Sequence, residues 1–495
     1  MKWMAGMAND LADAGHNVAF FQPFVYEEYL DHELIQNKSI KVINYFYDKT
    51  DIKPKPDRTA LSEVWDSAKF FSDLETAFFF PGVIYETFAP MCNKIFQDKH
   101  LHENLKAQNF DVAISETLDF CGLFLVDYLE IPSVISTFSG NRINAVGPVL
   151  GEPSLIHYLP SPFTNYGPTK QTLYDRLLDL WHFTFSSMGW AKLFDLQYQQ
   201  VSEITNGKVR HWKEILSDVT YHFANINPYL DFVIPTIAKI VSIGGYTMSN
   251  SRVESVSEEL DQLLSQRKYN VFVSYGSMVL SKDMPDSYKN GMVNFFKENQ
   301  DVTFLWKYEN LEDEFLKTVP KNVVVRKWFP QQSLLADKRV NLFITHGGLG
   351  STMELAYAAK PAIVTPLFSD QPGNAQMLGR HGSVEIYSKY DLPDSQKQSK
   401  LLRSMLSTGS YQKNANRLAE LLKHQPIKPK TLMISYAENA ARFGKIPSLT
   451  PWAKDMGSIQ FYNLDIILYA NVITLGFVYF IAILCCKKSY KVKIA

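Results

Sequence analysis

At 495 residues, 46% of them apolar, the chain is too long for one hydrophobic core and suits two domains of roughly 200 residues plus appendages. Its 50 basic residues against 51 acidic ones leave a formal charge of −1, spread along the chain, which excludes a general nucleic-acid binder. Four cysteines with no Cys-x-x-Cys pair and no Cys/His cluster exclude a zinc module, and Cys92 and Cys121 read as two free, buried thiols rather than a bridged pair.

Met4, Met7 and Leu11 recur at the spacing of one helix face; Gly15 stops that helix, and Asn17–Phe21 predicts a short strand. Met1–Gly15 lacks the uninterrupted apolar run of a secretory signal. Phe110–Ser115 predicts a buried strand, a helical run follows through Leu118, Leu125 and Leu129, and Pro132–Ser136 predicts a second strand. That is a βαβ unit and implies a parallel sheet. Gly140–Lys170, rich in Gly, Pro, Ser and Asn, reads as a long irregular segment and a substrate-loop candidate.

A second alternation begins at Ile243-Gly-Gly-Tyr246, with strands expected at Asn270–Ser274, Val302–Trp306, Val323–Val325, Leu342–Thr345 and Ala362–Thr365. The fold class is therefore α/β, with two doubly wound, Rossmann-like domains facing a cleft, divided as residues 1–240 and 241–440. Residues 441–465 form a linker or return segment. Ile466–Cys486 is an uncharged run of 21 residues, long enough to span a bilayer as a helix, and Lys487, Lys488, Lys491 and Lys493 follow it. These lysines place the tail, 487–495, in the cytosol and the large N-terminal portion in a lumen. Lys491–Ala495 resembles the dilysine retrieval signal of endoplasmic-reticulum membrane proteins, and Asn37-Lys38-Ser39 is a glycosylation sequon usable only in that lumen.

Chemistry concentrates between Trp328 and Pro372. The Leu342–Thr345 strand ends in His346-Gly347-Gly348, and a helix is expected to begin near Ser351. Strand, glycines and helix start together present unpaired N–H groups to an anion, and His346 adds a donor. Glu354, expected on the first turn of that helix, can grip a ribose diol. Gly276 and Ser277 follow the VFVS strand as a second phosphate contact. Trp328 offers a flat face for a base and Gln331 can read the base edge. Asp370 and Gln371 follow the Ala362–Thr365 strand and can hold sugar hydroxyls. Singly, Trp328 suits a core, Glu354 a surface helix and Asp370-Gln371-Pro372 a turn; in this order, at the carboxyl ends of strands, they fit one ligand.

This stretch resembles the donor signature of UDP-glycosyltransferases, in particular the membrane-bound UDP-glucuronosyltransferase-like animal branch. The resemblance extends from Gly15-His16-Asn17-Val18 through the Ser274–Ser277 strand end to the C-terminal span and lysine tail. It implies the GT-B architecture and inverting transfer of glucose or glucuronic acid from a UDP-sugar to a hydroxyl of a small lipophilic acceptor. It also implies no cofactor beyond the UDP-sugar co-substrate, no metal, an endoplasmic-reticulum membrane location, and homo- or hetero-oligomers. Trp328 and Gln331 match uracil contacts, Glu354 a ribose contact, Ser277 and His346 diphosphate contacts, and Asp370 and Gln371 sugar contacts. Many relatives carry Asn where Gly350 stands, so Ser351 or backbone N–H groups take that contact here.

The resemblance also implies a base histidine oriented by a carboxylate. The carboxylate matches Glu116, with Asp119 as the other candidate. Counted back from Gly15-His16, the histidine and the first strand fall before Met1, and His16 sits at the far end of the helix. The expectation is a chain truncated at its catalytic end. Its first helix then has little to pack on, its donor site is intact, and its own activity is open. The alternative is an inactive UDP-sugar binder that associates with intact relatives. Lys307, after the Trp306 strand, reads as a surface lysine, though a cation there could favour a glucuronate carboxylate.

Overall fold

Parallel strands joined by helices make up both halves of the chain, as the alternating pattern predicts. The computed structural model describes residues 2–24, 34–46, 63–65, 74–153, 156, 172–248 and 254–492; most of the predicted irregular segment after Pro153, and Lys493, lie outside these. In the first half, α1 (Lys2–Asp13) leads past Gly15, at φ +95°, into β1 (Ala19–Phe24), which pairs in parallel with β2 (Lys41–Phe46). Helix α2 (Leu74–Gln97) precedes β3 (Ala113–Glu116), α3 (Cys121–Tyr128), β4 (Val134–Phe138), α4 (Leu173–Thr205), β5 (Tyr221–Ala224) and β6 (Ile240–Ser242). The last four strands form a separate parallel sheet in the order β3-β4-β5-β6.

Two expectations fail here. Helix α1 does not lack a support: Trp3 and Met7 join Ile135, Tyr221, Phe223 and Tyr246 in one buried cluster, while Ala8 and Ala12 pack near Val18, Phe20 and Ile40. It therefore spans both sheets, with the Trp3 indole donating to Thr137 Oγ1 at 2.9 Å. Cys92 and Cys121 are also not free thiols. They form a disulfide that ties α2 to the first residue of α3, with their Cα atoms 5.6 Å apart. Packing of α2 on α3 brings two distant positions into bonding range, which no spacing in the sequence announces.

The second half holds β7 (Tyr269–Ser274), β8 (Val302–Lys307), β9 (Val323–Arg326), α5 (Gln331–Ala336), β10 (Val340–Thr345), α6 (Leu349–Tyr357), β11 (Ala362–Val364), α7 (Gln371–Gly379) and β12 (Val384–Ile386). All six strands are parallel, in the order β12-β11-β10-β7-β8-β9. Alternate residues feed two cores. Val271, Val273, Phe304 and Trp306 face one side; Phe272, Leu305 and Phe343 face the other, where Phe272 and Phe343 stack at 4.9 Å. Burial on both faces is why these strands read as continuous apolar runs. Val64 and Trp65, from the first half of the sequence, lie fully buried in this second half, with the Trp65 ring edge-on to Tyr275 at 5.3 Å.

The chain crosses back through α8 (Pro429–Phe443), whose Met433, Ala437 and Ala440 fill the cluster built on α1, β4 and β5. The connection that follows stays on the first half: Thr220 Oγ1 donates to the Gly444 carbonyl, and buried Lys239 donates to Thr450 Oγ1 at 2.8 Å. Helix α9 (Leu464–Val492) closes the described chain, and its apolar stretch, Leu464–Leu484, is long and apolar enough to cross a membrane and is not buried within the protein.

Replacing Cys92 and Cys121 together by alanine is expected to lower stability by about 2–4 kcal/mol. Thermal melts with and without reductant check it: reductant should lower the wild-type midpoint and leave the double variant unchanged.

Candidate active site

The chain steps outward from β7 through β8 to β9, returns to the other side of β7 at β10, and steps outward again to β12. The connections leaving β7 and β10 therefore part in opposite directions, and a crevice opens at the carboxyl ends of this strand pair. Ser274-Tyr275-Gly276-Ser277 forms one lip and His346-Gly347-Gly348 the other.

Helix α6 begins at Leu349, earlier than the expected start near Ser351, so Glu354 occupies its second turn and not its first. Gly348 caps the helix without a side chain, leaving the N–H groups of Gly350 and Ser351 with no partner among the described residues. The turn needs both glycines before it. Gly347 has φ +82°, and a Cβ there would meet Val364 at 2.7 Å; a Cβ on Gly348 would lie 2.6 Å from His346 Nε2. Gly276, φ +91°, presses the same ring from the other lip, where a Cβ would come within 2.7 Å. Position 350 is open: a side chain there would meet nothing within 4 Å.

His346 is thus held between two glycines. Burial, reinforced by the charge of Lys307, lowers its pKa to about 4, while a bond with the Ser274 backbone acts in the opposite direction. The free ring is neutral at physiological pH. Lys307 itself is not a surface lysine. It is buried, and its ammonium donates to the Gly276 carbonyl at 2.7 Å and to Glu309 Oε1 at 2.8 Å, 5.6 Å from the centroid of Trp328. It ties the Gly276 lip to the strand that carries it. Trp328 is 64% exposed, which rules out the core reading for that residue.

Gln331, the first residue of α5, donates through Nε2 to Glu354 and to Ser351 Oγ, and Gln332 donates to Glu354 Oε1 at 3.0 Å. Trp328, Gln331, Ser351 and Glu354 therefore line one wall. After β11, Gln371 is buried, and its Oε1 accepts the N–H groups of Leu367 and Phe368, so only its amide NH2 remains to face a ligand. Asp370 accepts from Asn374 Nδ2 and from the Leu349 N–H, joining the starts of α6 and α7; burial raises its pKa. Asn374 was absent from the predicted set although it stands one helical turn after Asp370. It also donates to the Gly347 carbonyl, and its Oδ1 accepts from Asn141 Nδ2 at 2.6 Å across the cleft.

Asn141 belongs to the turn after β4, and this turn holds Glu116. The Glu116 carboxylate, at the end of β3, accepts from the N–H and the hydroxyl of Ser139. Asp119 accepts from the Cys121 N–H at 3.0 Å, and burial, with Glu116 nearby, raises its pKa to about 6. Among the described residues no histidine bonds to Glu116. His16 lies 3.1 Å from Glu438 on α8, at the far end of α1. Beside these carboxylates a cavity of about 420 Å³ runs from Ser369, Asp370 and Met377 of the second half into the first half, walled by Phe80, Phe138 and Trp190. The start of the irregular segment expected from Gly140 onward supplies part of its lining, and the rest comes from helices and loops distant in sequence.

Residues 2–495 match the family model described as "UDP-glucoronosyl and UDP-glucosyl transferase". The chain is similar to UDP-glucuronosyltransferase 1A9 of Mus musculus, at 28% identity over 80% of this chain and 73% of that one. It is also similar to UDP-glycosyltransferase UGT5 of Dactylopius coccus, at 25% identity over 93% of this chain and 84% of that one. Among solved structures, UGT2 of Phytolacca americana, complexed with UDP-2-fluoro-glucose and pterostilbene, aligns over 89% of this chain and 96% of its own with a TM-score of 0.57 and 14% identity, a likeness of fold. The chain belongs to the UDP-glucuronosyl and UDP-glucosyl transferase family.

Proposed function

We propose that this protein transfers a hexose from a UDP-sugar to a hydroxyl of a small lipophilic acceptor, with inversion at the anomeric carbon. The observation that carries this reading is the convergence of Ser277, His346, Trp328, Gln331 and Glu354 on the crevice where β7 and β10 part. In this reading uracil stacks on exposed Trp328 beside Gln331, and the ribose diol exchanges for the glutamine partners of Glu354. The diphosphate lies between Ser277, His346 and the open N–H groups at the start of α6, and Asp370 and Gln371 meet the sugar.

The acceptor enters through the cavity shared by the two halves. Its hydroxyl loses a proton to a base supported by Glu116, the oxygen bonds to the anomeric carbon, and the bond from that carbon to the diphosphate oxygen breaks with its electron pair leaving on UDP. Helix start and His346 stabilise the departing charge without a metal, in keeping with the absence of any Asp-x-Asp pair from the sequence. Helix α9 anchors the chain in the endoplasmic-reticulum membrane with the lysine tail in the cytosol. The Cys92–Cys121 disulfide favours an oxidising lumen for the remainder.

The direct test is release of UDP from UDP-glucose or UDP-glucuronate with a panel of phenols and sterols; no turnover with any pair would refute the reading. Glu354→Ala and His346→Ala should each weaken UDP binding by about tenfold or more, read by titration calorimetry. Glu116→Gln should lower kcat by about 100-fold or more while leaving the affinity for UDP within about twofold. The Asp119 pKa is raised from the ordinary 3.8 to about 6, so the folded state binds more protons than the unfolded state between those values. Its contribution to stability is complete at low pH and declines as pH rises through 6. Asp119→Asn should therefore raise the melting temperature more at pH 7.5 than at pH 5.

A further inference from the structure

The cavity between the two halves has an apolar stretch formed by Phe80, Phe138 and Trp190, polar groups that include Arg142, Glu152, Asp179 and Asp231, and, among the described residues, one histidine. His222, on β5, is in register with Ser136 on β4 and Ser115 on β3, so all three side chains share one face of the sheet. His222 is 7% exposed, and its Nδ1 lies 2.9 Å from Ser136 Oγ. Its Nε2 has no partner among the described residues, and the ring lines the cavity close to Trp190, Ala224 and Ile240. Burial, with the charge of Arg142, lowers its pKa to about 3. The ring is therefore neutral, and Nε2 either donates or accepts one hydrogen bond according to the tautomer that Ser136 selects.

A ring nitrogen that opens into the cavity is left for a ligand or water to meet. His222 takes no part in the transfer chemistry: its basicity is too low for a general base, and its side chain lies on the sheet face opposite that of Glu116. The cavity runs from Ser369 and Asp370 at one end to His222 and Ile240 of the first-half sheet. A molecule whose reacting hydroxyl lies near Asp370 therefore meets the His222 ring with its far end.

We propose that His222 is an acceptor-selecting residue, and that the acceptor class is a lipophilic molecule with a second hydroxyl at the end remote from the one that receives the sugar. A hydroxyl can donate or accept, so it satisfies Nε2 in either tautomer. The assignment rests on the transferase reading, since it makes the cavity the acceptor site.

The test is calorimetric binding to the whole chain in detergent at saturating UDP, with 4-phenylphenol and 4,4′-dihydroxybiphenyl as probes. The diol should bind about tenfold more tightly than the mono-ol, the worth of one buried hydrogen bond. His222→Leu should bring that ratio close to one, and His222→Gln, which keeps a hydrogen-bonding head, should retain most of it. Equal affinities in the wild type, an unchanged ratio in His222→Leu, or the same loss in both variants would overturn the assignment. Sugar transfer is read separately on the wild type. A binding preference that follows this pattern without any transfer would sink the transferase reading and leave His222 as a selector of hydroxylated ligands.

Discussion

A parallel sheet wound in both directions from one strand pair must leave a gap where its two windings part. In this chain that pair is β7 and β10, and the candidate site follows from it. The loops leaving these strands cannot cover each other, so Gly276 and Gly347 turn sharply at positive φ and present backbone and a packed His346 to the opening. Lys307 then fixes the first lip and Asp370 the second, through bonds that leave the upper surface of the crevice clear. At the start of α6 the N–H groups of Gly350 and Ser351 have no partner among the described residues.

Much of this was legible in the sequence because its cause is local. The runs at Val271–Val273, Phe304–Trp306 and Leu342–Ile344 are apolar on both faces because helices cover both, and that pattern survives in one dimension. His346-Gly347-Gly348 followed by a helix was readable because only that order makes a tight strand-to-helix turn. The helix start was misplaced because Gly348 caps through backbone alone and leaves no side-chain marker. Lys307 gave no sign of burial because its partners are a backbone carbonyl and a glutamate on the same strand end. Cys92 with Cys121, and Asn141 with Asn374, meet only after separate elements pack, and no spacing rule reports such meetings.

The two halves are joined by more than the polypeptide. Asn141 bonds to Asn374 across the cleft, and Asn374 also braces Asp370 and the Gly347 carbonyl. Ser139, two residues before Asn141, holds Glu116. A short chain of contacts therefore links Glu116 in the first half to Asp370 in the second, so the separation of the halves bears directly on both. Trp65 adds a second tie of another kind, an apolar plug seated beside Tyr275 on the β7 lip.

Helix α8 has a mechanical meaning beyond its share of the core. It returns the chain to the first half, and Gly444 and Thr450 keep it there through bonds to Thr220 and Lys239. Most of the second half is thus an insertion between β6 and α8, with Val64 and Trp65 of the first half also seated in its core, and the segment that leads to α9 is bonded to the first half. Movement at the crossings after β6 and before α8 would change the width of the cleft while leaving the first half fixed to the segment that leads into α9.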